Sequence, residues 1–129
     1  MENEVKMQRG NRVLTWVLRS LLILVILFFM LFSLDVFTED ASAWEMAMGF
    51  LMHNIPSFIM IAILIVAWKW EHIAGILLIV LAIGMMFFFG GPMDMMYGTW
   101  IMLSLPTILG ILFLLNYYCI NSGARSASP

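Results

Sequence analysis

Side chains able to do chemistry are few in this chain, and they crowd toward two depths. Met46, Met48 and Met52 stand beside His53, and Met85, Met86, Met93, Met95 and Met96 follow later. Thioethers are soft ligands that suit Cu(I) and, by the same softness, Ag(I). The ordinary alternative is that methionine is apolar filler with no ligand at all. Asp35 and His53 form a second candidate, a carboxylate and an imidazole at similar depth that could pair or respond to protons. The plainer reading makes Asp35 a solvated helix-end residue and His53 an interfacial anchor. At the opposite depth, Arg19 and Glu71 either pair across two apolar segments or reach separately for lipid headgroups. Trp44, Trp68, Lys69 and Trp70 read as interfacial anchors.

Much familiar chemistry is excluded. A proton-coupled exporter needs a carboxylate deep in a span, and every Asp and Glu here falls near a span end or outside one. The single Cys119 rules out an internal disulfide, a CxxC motif and a thiol redox pair. His53 and His72 lie toward opposite ends of one apolar stretch, so they cannot ligate one haem within a monomer. There is no phosphate loop, Ser/His/Asp set or HExxH. The net charge of −2 supplies no field for nucleic acid. No enzyme activity and no cofactor are expected.

The elements that must position these residues are membrane spans. The chain is 64% hydrophobic and 11% charged, where a soluble domain carries about 25% charged residues. Residues 1–12 are a polar tail or short surface helix, and residues 121–129 a second polar tail. Between them, apolar runs over about 13–34, 49–70, 73–89 and 99–120 are each long enough to cross a core of about 30 Å. Ala41–Met48 reads as a short interfacial helix capped by Asp40, and Pro56 should bend the second span or end its first turn. Gly90-Gly91-Pro92 stops the third span. Ala41-Ser42-Ala43 has the spacing of a signal-peptidase site, but the apolar run before it is long for a signal peptide and an acidic segment intervenes, so the first span is read as retained. Gly75, Gly84, Ser104 and Gly110 permit close helix approach without forming GxxxG.

Short connections imply an antiparallel up-down bundle of four transmembrane helices. All six basic residues, Lys6, Arg9, Arg12, Arg19, Lys69 and Arg125, then fall on one face. Asp35, Glu39, Asp40, Glu45 and Asp94 fall on the other. The positive-inside rule places both termini and the Trp68–His72 link in the cytoplasm.

One pattern runs through the spans: Leu31-Phe32-Ser33-Leu34-Asp35-Val36-Phe37, His53-x-x-Pro56, Ala67-Trp68-Lys69-Trp70-Glu71 with Gly75, and Pro106. It resembles a family of small four-span prokaryotic membrane proteins of unknown function, over about Leu14 to Leu115. The resemblance implies a compact four-helix unit in the inner membrane and no known activity, ligand or catalytic residue. The methionines lie outside its pattern. The expected role is a non-enzymatic accessory or interaction protein whose partners are the lipid bilayer and other membrane proteins or further copies of itself. A small transporter or soft-metal handling protein and a holin-like pore former are the alternatives.

Overall fold

Four apolar runs separated by short polar breaks fold as four helices. The computed structural model describes residues 1–37, 41–88 and 97–126. They form α1 (Glu2–Phe32), α2 (Ala43–Lys69), α3 (Glu71–Phe88) and α4 (Tyr97–Ser126), with a 3₁₀ turn, Ser33–Val36, prolonging α1. No strand occurs among the described residues. Each helix holds a stretch long and apolar enough to cross a bilayer. The shortest, α3, has 18 residues and spans about 27 Å. Only 28% of the residues in each helix's apolar window are buried inside the protein. The remainder needs lipid around it, and the chain is a multi-pass membrane protein.

The helices outrun their apolar segments. The polar start of the chain continues α1 back to Glu2, because Glu, Lys, Arg and Gln are good helix formers without any apolar period. Glu2 and Lys6 form an exposed i,i+4 pair at 3.9 Å. At the other end α4 runs on to Ser126, through residues read from sequence as tail. The separate interfacial helix expected over Ala41–Met48 is instead the first part of α2. Its N-cap is Ser42, whose hydroxyl accepts from the Glu45 N–H at 3.4 Å while the Ser42 N–H donates to Glu45 Oε2 at 2.9 Å. This is a reciprocal capping box. Asp40, the expected cap, lies outside the described residues, as do Glu39, Asp94 and the Gly90-Gly91-Pro92 stop. Helix α2 continues unbroken through Pro56, and α4 through the buried Pro106. Near Pro106 the Ser104 and Thr107 hydroxyls donate to the carbonyls of Ile101 and Leu103.

Contacts close the helices into a ring in chain order, α1 on α2, α2 on α3, α3 on α4 and α4 back on α1. Each helix turns one stripe inward at spacings of three and four residues. The stripe on α1 is Leu18, Leu22, Val25, Ile26 and Phe29. It meets Met60, Ile63 and Ala67 of α2, and Leu78 of α3 and Phe113 of α4 fill the centre. The α3–α4 pair has the most extensive interface, and glycine is the reason. A Cβ on Gly75 would sit 2.9 Å from the Gly110 carbonyl, and one on Gly110 would sit 2.8 Å from the Gly75 carbonyl. The two backbones therefore touch where only hydrogen fits.

Candidate functional site

The polar side chains that sequence scatters along the chain converge at the corner between α2 and α3. Trp70 is the one residue separating these helices, with φ −134° and ψ 85°. Its N–H closes α2 on the Val66 carbonyl at 2.7 Å, and its carbonyl accepts the Ala74 N–H at 3.1 Å to open α3. A helix C-terminus, rich in unpaired carbonyls and partly negative, thus lies beside a helix N-terminus that is partly positive.

Arg19 of α1 answers the first of these ends. Its Nη2 donates to the carbonyls of Ala67 at 3.2 Å and Trp68 at 3.3 Å, two of the last four of α2. Glu71, in the first turn of α3, answers the second. The two also meet each other, with Arg19 Nη2 at 4.0 Å from Glu71 Oε1 and side chains only 12% and 16% exposed. Asn116 of α4, itself buried, donates through Nδ2 to Glu71 Oε2 at 3.1 Å and to Thr15 Oγ1 of α1 at 3.2 Å. All four helices are joined, and Arg19–Glu71 bridges α1 and α3, which lie across the ring from one another.

Aromatic rings wall the node. The Arg19 guanidinium lies 4.8 Å from the Trp68 ring centroid and 5.8 Å from that of Trp16. The two indoles meet edge to face at 5.9 Å. On the far side, His72 and Tyr117 lie with centroids 4.6 Å apart. Lys69, in the last turn of α2, sits 5.1 Å over Trp70. Trp44, Trp68 and Trp70 are all exposed, in keeping with anchoring at an interface. Chemically the node is a set of matched donors and acceptors. Among its described polar atoms, Arg19 Nε is the one buried without a partner.

The opposite end of the α1–α2 pair does not bring Asp35 and His53 together. His53 Nδ1 lies 3.0 Å from the Gly49 carbonyl of its own helix, and Asp35 and His53 are both exposed with no bond between them. The next residue, Asn54, is the one that faces α1, because one helical step turns a side chain by about 100°. Its Nδ2 donates to Ser33 Oγ at 2.7 Å and to the Phe50 carbonyl at 3.0 Å. Asn54 Oδ1 and Ser57 Oγ are buried there without partners.

The same helical phase divides the methionines. At about 100° per residue, Met48 and Met52 share one face of α2 while Met46 and His53 share another. Met85 is buried in the core and Met86 packs against it. Met93, Met95 and Met96 lie outside the described residues. No group of three or more His, Cys, Asp or Glu able to hold a metal occurs among the described residues.

Residues 6–126 match the model of a family described as Domain of unknown function (DUF7670). The chain belongs to that family. The sequence resemblance to an uncharacterised four-span family therefore stands, and the DUF7670 match contains the whole node from Thr15 to Tyr117. No curated protein and no solved structure matches the chain.

Within this DUF7670 chain, sequence reading singled out Arg19 and Glu71 but passed over Asn116, Thr15, Asn54, Ser33 and Ser57. A signal existed. An amide inside an apolar run, as in Leu114-Leu115-Asn116, is costly in lipid unless it bonds across helices. The same argument applies to Asn54, five residues into the run that begins at Gly49.

Proposed function

We propose that this chain is a non-enzymatic accessory protein of the cell membrane, built as an antiparallel up-down bundle with both termini in the cytoplasm. The observation that carries the reading is how the node uses its polar groups. Arg19, Glu71, Asn116 and Thr15 engage one another and the end of α2 across four helices. That is the geometry of a brace that rigidifies a small scaffold, and such a scaffold offers its apolar outer faces to neighbours. The antiparallel arrangement is supported by which residues meet. Thr15–Arg19, Ala67–Glu71 and Asn116 share one end, whereas Ser33 and Asn54 meet at the other. Lys6, Arg9, Arg12, Arg19 and Lys69 gather at the first end and Asp35 and Glu45 at the second, which supports the cytoplasmic assignment of the termini.

Two measurements test this. A reporter fused after Pro129 that is active in the cytoplasm and silent outside is the expected result, and the reverse pattern overturns the orientation. Native electrophoresis of mildly solubilised membranes, at low expression, is expected to place the chain in a complex well above its own 14.7 kDa. Migration as a lone monomer in several mild detergents overturns the accessory role.

A further inference from the structure

The outward face of α1 holds a shallow groove of about 420 Å³ that shares only Trp16 with the node. Arg9 and Arg12 stand at its polar end, Trp16 follows, and Val17, Leu21 and Leu24 line its apolar length. Three other cations have partners nearby. Lys6 pairs with Glu2, Arg19 with Glu71, and Lys69 lies over Trp70. Among the described residues, Arg9 and Arg12 are exposed and have no carboxylate within ion-pair distance.

We infer that this groove holds one anionic phospholipid, with its phosphate between Arg9 and Arg12 and an acyl chain along Val17, Leu21 and Leu24. Three features fix the class of ligand. Twelve helical steps from Arg12 to Leu24 cover about 18 Å, close to the depth of a single leaflet of about 15 Å. The site therefore has the dimensions of a lipid, and its charge sits only at the headgroup level. Two guanidinium groups three residues apart on one helix offer forked donors suited to phosphate oxygens. Their uncompensated charge favours a lipid with net negative charge over a zwitterion that brings its own ammonium. The wall is also preformed. Trp16 is held from behind by Trp68 and by Arg19, so the groove does not have to be organised when lipid arrives.

The test is native mass spectrometry of the full chain released from nanodiscs of equimolar phosphatidylglycerol and phosphatidylcholine with matched acyl chains. The wild type is expected to retain one phosphatidylglycerol in preference to phosphatidylcholine. The double variant Arg9→Gln/Arg12→Gln is expected to lose that preference by about tenfold, and Lys69→Glu, which makes the same change of charge on α2 outside the groove's lining, is expected to keep it. Equal retention of both lipids by the wild type overturns the proposal. So does an equal loss in Arg9→Gln/Arg12→Gln and in Lys69→Glu, since the attraction would then be a general surface potential. The wild-type comparison decides the question even if a variant were to misfold.

Discussion

Neutralising Glu71 and removing Arg19, singly and together, probes the brace most sharply. At 4.0 Å two unit charges attract by about 4 kcal/mol at an effective dielectric of 20. Desolvation offsets part of this, and the side chains are 12% and 16% exposed rather than sealed. Glu71→Gln keeps an acceptor for Asn116, so its cost is the ion pair alone, expected at about 2 kcal/mol. Arg19→Met loses the pair and also uncaps the Ala67 and Trp68 carbonyls, for an expected cost of about 4 kcal/mol. With Arg19 already gone, the charge on Glu71 has lost its partner, so the double variant should cost about 4 kcal/mol rather than the additive 6. The assay is reversible unfolding in bicelles or mixed micelles, followed by tryptophan fluorescence, because Trp16 and Trp68 contact the guanidinium directly. A coupling below about 0.5 kcal/mol would refute the pairing and leave Arg19 as a helix cap only.

Three further outcomes are expected. Gly110→Ala drives a Cβ to 2.8 Å from both the Gly75 carbonyl and Ile79, so the same unfolding assay should lose about 2–3 kcal/mol. Gly84→Ala meets nothing within 4 Å and should instead gain about 0.5–1 kcal/mol of helix stability. Asn116→Leu should cost about 2 kcal/mol because it removes a charge-assisted and a neutral hydrogen bond, whereas Thr15→Val should cost about 0.6 kcal/mol, typical of one interhelical bond in a bilayer. Isothermal titration with Ag(I) should show no heat sensitive to Met48→Leu/Met52→Leu, because α2 turns Met46 and His53 away from that face; a methionine-dependent signal would favour the soft-metal reading.

The four apolar runs were legible because lipid imposes one demand, about 20 apolar residues per crossing, that composition alone can meet. Helix ends were less legible, since hydropathy marks where a helix enters lipid and not where its hydrogen bonds stop. Residues 2–12 and 121–126 are helical without being apolar. The start of α2 could have been read from Ser42-x-x-Glu45, a capping box in plain sequence. Arg19 and Glu71 were visible as charges at one depth, but their convergence on the carbonyls of Ala67 and Trp68 depends on the one-residue turn at Trp70, which no local propensity announces. Asp35 and His53 show what depth cannot say. Depth alone leaves open whether the two meet, and helical phase gives the inward position to Asn54.

The joint at Trp70 also bears on how the chain is made. With one residue between Lys69 and Glu71, α2 and α3 form one tight unit in the chain, its bend closed by the bonds from Trp70 to Val66 and Ala74. The bend also carries Glu71, whose charge is covered by a residue synthesised some fifty positions earlier. The helix synthesised first thus carries the guanidinium that the bend between the second and third requires.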